Sequence, residues 1–272
     1  MKEVDEIAEA EALVALSGGP GAGRVRYGAA MRLWAAGRLS AAEVEAFRVA
    51  AAHDGGAGGA LAPAAAIDRL VEEAEVYLAG LAGPGIAEVR AGIARHRAPA
   101  QVGEAQANAV LDRWLGPALD AMDRPGLAAA IAGAAPHLGW ITYDAYPPEQ
   151  IGPVFPMAHA FASLIGLDAP LPAPDFDFGL FLVAPGVFYR DHRHTAPELY
   201  APLTGPHHWR FRPGAPLVDK PAHAPVWNPP LRPHATLTGT VPFLCLYAWT
   251  RDANAQAEVI PAPDWARIEG QT

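Results

Sequence analysis

The stretch 186-GVFYRDHRHTAPELYAPLTG-205 decides how this chain is read. His192 and His194 are two apart, and alternate residues of a strand share a face, so both imidazoles project together at a strand end. Thr195-Ala196-Pro197 can turn the chain, after which Glu198 and Tyr200 share a face of the next strand. Two imidazoles and a carboxylate on adjacent strands suit a borderline divalent ion such as Zn, Fe, Mn, Co or Ni. A His-x-His alone would say little, and the competing reading is a metal-free barrel that keeps these residues.

Working outward, the chain on either side of this stretch is broken by proline. Of 28 prolines, 21 lie between Pro147 and Pro263, a density that excludes long helices over most of that region. Between them lie the short apolar runs 178-FGLFLV-183, 198-ELYAPL-203 and 241-VPFLCLYAW-249. Such runs bounded by turn residues mark an antiparallel barrel or sandwich. The segment 155-FPMAHAFASLIG-166 reads as a short helix.

Upstream the texture is alanine-rich and helical. Ser40 and Glu43 have capping-box spacing, and Gly55-Gly56 ends the run that follows. Ile67, Leu70, Val71, Ala74, Leu78 and Leu81 recur at helical spacing up to Gly83-Pro84. Further helices are expected from Glu104 to Leu115 and from Gly126 to Ala134. The expected layout is mainly β with α: an N-terminal helical region over 1–136 packed on a C-terminal β-barrel over 137–272.

Composition excludes several classes. The chain has 272 residues, 51% hydrophobic and 18% charged, which excludes wholesale disorder. No apolar stretch approaches the roughly 18 residues of a membrane span. Lys and Arg number 20 against 29 Asp and Glu, so the net charge of −9 offers no whole-chain footprint for nucleic acid or anionic lipid. Cys245 is the single cysteine, so no internal disulfide forms, and its place in an apolar strand reads as a buried, inert thiol. The acidic start MKEVDEIAEAEALVALSGG lacks the basic region of a signal peptide, and a cytoplasmic protein is expected. The glycines of 18-GGPGAGR-24 lack the Gly-Lys-Ser/Thr ending of a phosphate loop. No internal repeat is evident.

With both glycines, Gly186 and Gly205, the quoted string resembles the first motif of the cupin superfamily: Gly, five residues, His-x-His, three or four residues, Glu, six residues, Gly. The resemblance implies a double-stranded β-helix, or jelly-roll, barrel. It also implies a further histidine ligand from a second motif, for which 229-PPLRPHATLT-238 offers His234. That motif ordinarily has glycine and asparagine where this chain has Leu231 and Thr238. His207 and His208 have the wrong phase for both to face inward, and His223 reads as a residue of the surface or pocket rim.

Three neutral imidazoles, one carboxylate and a divalent ion leave a net charge of about +1, which attracts an anionic ligand such as a carboxylate. Tyr200 can approach the ion, either as a general base whose phenolate the cation favours or as a group orienting a metal-bound water. Tyr189 reads as a second hydroxyl at the pocket mouth or as barrel packing.

A narrower resemblance follows from 189-YRDHRHTAPELY-200, which is similar to the metal site of the cupin-type dimethylsulfoniopropionate (DMSP) lyases. The strings 205-GPHHWR-210 and 243-FLCLYAWTRD-252 add to it, and it covers 137–255. It implies that His192, His194, Glu198 and His234 hold the metal and that Tyr200 removes the proton α to the substrate carboxylate. β-Elimination then yields dimethyl sulfide and acrylate. An aromatic face would hold the sulfonium by cation–π attraction, with Trp209, Trp227, Tyr247 and Trp249 as candidates and ordinary core packing as the alternative for each. The competing functions are another metal-dependent cupin enzyme (isomerase, dioxygenase or other lyase) on a small carboxylate, and a non-catalytic binding module. Cupins often form homodimers, although nothing in the sequence marks an interface.

Overall fold

The computed structural model describes residues 2–15, 22–54, 61–103, 107–143 and 146–270. The chain divides into two compact units, Met1–Ala62 and Pro63–Thr272, and the position 136/137 lies within the second.

The first unit holds α1 (Lys2–Val14), α2 (Ala22–Ala35) and α3 (Ala41–Asp54), with Ala10, Ala29 and Leu33 in a small core. The expected capping box opens α3: Glu43 accepts from the Ser40 N–H at 2.8 Å, and its own N–H donates to Ser40 Oγ at 3.3 Å. The stretch 18–21 and the expected stop at Gly55-Gly56 lie outside the described residues.

In the second unit, α4 (Pro63–Ala79), α5 (Ile86–Arg95), α6 (Ala109–Asp120), α7 (Pro125–Ala134) and the single turn α8 (Pro148–Ile151) precede the strands. The periodic residues Ile67, Leu70, Val71, Ala74 and Leu78 form the buried face of α4. The helix expected from Glu104 to Leu115 is α6, which runs on to Asp120. Its first N–H groups are capped by the Asn108 side chain at 3.0 and 3.2 Å. Glu104 itself lies outside the described residues.

The strands are β1 (His159–Gly166), β2 (Leu171–Pro172), β3 (Asp177–Val183), β4 (Phe188–Arg193), β5 (Glu198–Pro202), β6 (His207–Arg210), β7 (Val218–Lys220), β8 (Val226–Asn228), β9 (His234–Leu237), β10 (Phe243–Trp249) and β11 (Glu258–Val259), before a final helix α9 (Trp265–Glu269). They form a six-stranded sheet, β2-β1-β3-β10-β5-β8, and a five-stranded sheet, β11-β4-β9-β6-β7. All pairs are antiparallel except β1 with β2. This is the expected cupin barrel with helices N-terminal to it.

The barrel carries two cores. Leu180, Leu182, Leu199, Leu244 and Leu246 point outward into one core with α4, α5, α6 and α7. The alternate residues Phe181, Val183, Tyr200, Phe243, Cys245 and Tyr247 point inward against Tyr189 and Trp209 of the second sheet. The helix expected over 155–166 is corrected by this arrangement: Phe155–Met157 is one 3₁₀ turn, and His159–Gly166 is β1. Because helices cover its outer face, both faces of β1 are largely buried and apolar, so the alternation that marks a strand is absent. Among the described residues no helix is long and apolar enough to cross a membrane.

Candidate metal centre

The site begins where β4 meets β9. The Cα of His192 lies opposite that of His234, and their rings are 4.0 Å apart. The pairing shifts register between Tyr189 and His192. That irregularity turns Tyr189 inward beside His192, with the rings stacked at 3.9 Å. His194 follows just past the strand end, and Glu198 opens β5. All four side chains expected as ligands are buried.

The hydrogen bonds fix the imidazole tautomers. Nδ1 of His192 donates to the Arg190 carbonyl at 2.8 Å, that of His194 to Ala196 at 2.8 Å, and that of His234 to Arg232 at 3.0 Å. With each Nδ1 bonded to a carbonyl, each Nε2 is left with a lone pair. The three histidines offer ligand atoms all within 4.8 Å of one another. His234 Nε2 is buried and lacks a hydrogen-bond partner although Glu198 Oε2 is 3.1 Å away. Converging lone pairs with no donor between them fit a shared cation, and backbone carbonyls that orient metal-bound histidines in this way are general.

Glu198 is held by two donors, Asn228 and Trp249. Oε2 lies 3.3 Å from His194 Nε2 and accepts from Asn228 Nδ2 at 3.1 Å, and Oε1 accepts from Trp249 Nε1 at 2.8 Å. Burial alone would raise its carboxyl, and a proton on the His194 or His234 imidazole would reverse this and hold it well below the ordinary range. Burial, then the neighbouring His234, pushes His192 well down and keeps it neutral.

The departures from the cupin pattern are accommodated locally. Leu231 occupies the glycine position with φ 61°, in the left-handed region that glycine adopts freely, and its N–H bonds the His194 carbonyl at 2.8 Å. Thr238 stands at the asparagine position. Its Oγ1 accepts from the Val187 N–H and donates to the Ala184 carbonyl, both at 2.7 Å, closing the turn before β4. Gly205 has no such freedom, since a Cβ there would meet Ala222 N at 2.5 Å.

A cavity of about 280 Å³ opens above Glu198, and Tyr146, Tyr189, Phe161, Tyr247 and Trp249 contribute to its wall. Tyr189 is stacked on Phe155 at 3.9 Å, and its hydroxyl lies 2.5 Å from that of Tyr146. Tyr200 is buried beneath, its ring 6.3 Å from that of His234. Burial, then the Glu198 charge, holds its phenol well above the ordinary value.

The four aromatic candidates separate. Tyr247 and Trp249 reach the cavity. Trp227 does not: along β8 Val226 and Asn228 face inward, so Trp227 faces the helices, its ring against Gly85 where no Cβ would fit. Trp209 is fully buried inside the barrel, 5.3 Å from the Tyr200 ring, and does not line the cavity. His207 is a structural residue bonded to the Gly239 N–H, His208 bonds Asp219, and His223 joins Tyr77 to Asp123. Cys245 is buried. Sequence reasoning missed Tyr146, Asn228 and Asp177, which reach the site through strand pairing and a loop.

Residues 89–245, more than half of the chain, match the family model described as dimethylsulfoniopropionate lyase. The chain belongs to the DMSP lyase family. Two solved structures share the fold. A chain from the crystal structures of the DMSP lyases RdDddP and RnDddQII is 24% identical, with 74% of this chain and 100% of that one covered at a TM-score of 0.59. DMSP lyase DddQ from Ruegeria pomeroyi DSS-3 is 22% identical, with 71% and 95% covered at 0.54. No curated protein matches the chain. Family membership and the buried histidine triad together describe a lyase-family protein with a metal site, acting on a small molecule.

Proposed function

We propose that the protein is a metal-dependent carbon–sulfur lyase that cleaves DMSP, or a close β-substituted carboxylate, to dimethyl sulfide and acrylate. The observation that carries this reading is the convergence of three imidazole lone pairs beside Glu198, which itself lines an aromatic cavity. His192, His194, Glu198 and His234 are the residues that would hold the ion, and their donor set suits Zn, Fe, Mn, Co or Ni. When bound, the ion supplies Lewis acidity and a positive site for the substrate carboxylate.

The chain's own residues do the rest. Tyr200, as phenolate, takes the proton from the carbon α to the carboxylate. The C–H electron pair becomes the new carbon–carbon double bond, and the carbon–sulfur bond breaks toward sulfur, which leaves uncharged as dimethyl sulfide. The proton on Tyr200 Oη passes to solvent before the next turnover. Burial and Glu198 both favour the neutral phenol, so the base form of Tyr200 depends on a neighbouring cation. Tyr189 is the second candidate for the base, because it lines the cavity and Tyr200 does not. The aromatic wall keeps water from the reacting carbons.

The test is headspace measurement of dimethyl sulfide from purified protein reconstituted with each ion. Release above a metal-stripped control, with or without oxygen, is expected. No release with any ion overturns the proposal, and a requirement for oxygen moves the protein to the dioxygenase class.

A further inference from the structure

The cavity has a second charged end. Asp177 opens β3 with its Cα opposite Trp249, which is itself opposite Glu198. Residues directly opposite on neighbouring strands share a face, and all three line the cavity. With adjacent strands about 4.8 Å apart, the backbones of the two carboxylates are roughly 10 Å apart.

Asp177 is held in place. Tyr247 Oη donates to Asp177 Oδ1 at 3.1 Å and lies 2.9 Å from Ser163 Oγ. Tyr247 reaches across to Ser163 because the residue between them in the row is Gly179, which has no side chain to intervene. Among the described residues no cation pairs with Asp177, and no lysine or arginine lines the cavity. His159, which does, is neutral: its Nδ1 donates to the Phe155 carbonyl at 2.6 Å and its Nε2 accepts from the Tyr143 N–H at 3.0 Å. Burial raises the Asp177 carboxyl to about 6, which still leaves it ionised at neutral pH. A carboxylate without a counter-charge in an aromatic cavity is costly unless something positive binds beside it. Aromatic rings that can attract a cation line the same cavity, with Phe161 edge-on to Tyr247 at 6.1 Å.

We propose that Asp177, positioned by Tyr247, is the counter-charge for the cationic group of the substrate and makes the cavity select zwitterionic acids over acids with a neutral tail. The inference rests on the lyase reading for the orientation of the substrate, with its carboxylate toward the histidines and its onium group toward Asp177.

The test is calorimetric binding to the zinc-loaded protein. The probes are the trimethylammonium analogue of DMSP, whose amine is a poor leaving group, and its carbon isostere with a tert-butyl group. Wild-type protein is expected to bind the onium acid at least about ten-fold more tightly. Asp177→Asn should lose that preference while binding the carbon isostere within about two-fold of wild type, and Tyr247→Phe should lose part of it. Metal content and thermal melting check that both variants fold. Equal wild-type affinities for the two acids overturn the proposal, as does a folded Asp177→Asn that keeps the full preference. Wild-type protein that prefers the onium acid yet releases no dimethyl sulfide removes the lyase reading and leaves this one. Release of dimethyl sulfide with an unchanged Asp177→Asn does the reverse.

Discussion

The indole of Trp249 lies against the imidazole of His194, with ring centroids 4.4 Å apart and planes 29° from parallel. The same indole donates its N–H to Glu198 Oε1 at 2.8 Å. One side chain therefore packs on one expected ligand and orients another. Trp249→Phe keeps an aromatic ring for the stack and removes the N–H. Metal affinity should fall by about ten-fold, the lower end for groups that orient ligands. Chelator competition measures this, and unchanged affinity would mean that Glu198 needs no such support.

Metal removal should lower stability, because the lone-pair cluster exists only in the folded chain. An ion at about 100 times its Kd adds about 2.7 kcal/mol, or about 5–10 °C in melting temperature for a unit of this size. His234→Ala should abolish the shift between chelator-treated and metal-loaded protein. A His234→Ala variant that keeps the whole shift refutes its assignment as a ligand.

The convergence of the expected ligands was legible because most of it is local. His192, His194 and Glu198 fall within seven residues, and strand alternation carries them to one face without knowledge of the fold. His234 needed the cupin pattern, since only the β4–β9 pairing places it opposite His192. Asp177 and Asn228 were not legible: each is adjacent to the site only through strands distant in sequence. The segment 155–166 failed for a different reason. Its outward residues Ala160, Ala162 and Leu164 are buried under helices, so the polar face that would have marked a strand does not exist.

Tyr200 and Tyr189 make distinct contributions under the proposed chemistry. Tyr200→Phe should retain metal and lose at least about 10²-fold in kcat, the loss expected for a general base. Tyr189→Phe keeps its stack between Phe155 and His192 and loses only the hydroxyl contact with Tyr146, so a smaller loss is expected. The reverse order of severity transfers the base to Tyr189.

Metal-free stability should rise with pH from about 4 to 6.5. Burial holds both His159 and His207 neutral, down at about 4, while an unfolded histidine titrates near about 6.5. Between those values the unfolded chain binds protons that the folded chain refuses, so stability is lost as pH falls through the window and is fully present above it. Asp177 opposes this. Its carboxyl is raised to about 6 by burial, so its contribution is present at low pH and lost as pH rises to 6. Two histidines outweigh one carboxyl. Asn at position 207 can still accept the Gly239 N–H, so His207→Asn should reduce the slope of unfolding free energy by about 1.4 kcal/mol per pH unit, one proton's worth. Denaturant melts across the window read that slope, and an unchanged slope would place the titration elsewhere.

Asp191 should matter to the site without touching it. It lies between Arg190, whose carbonyl receives the Nδ1–H of His192, and His192 itself. Its buried carboxylate accepts from Arg210 Nε at 2.9 Å, from Arg210 Nη2, and from Trp265 Nε1 at 2.7 Å. Its carbonyl accepts from the Ile260 N–H at 2.7 Å, and Arg210 Nη1 continues to Asp264 Oδ2 at 2.8 Å, at the start of α9. Asp191→Ala leaves the buried guanidinium of Arg210 with Asp264 as its one carboxylate partner and should cost about 3 kcal/mol, whereas replacing both residues with apolar ones of similar volume should cost far less. The strand that carries His192 is anchored through this network, so metal affinity should fall with Asp191→Ala and recover in the double variant. Urea unfolding of the metal-free protein measures the first effect and chelator competition the second. Full destabilisation with unchanged metal affinity would show that the network supports the fold without positioning His192.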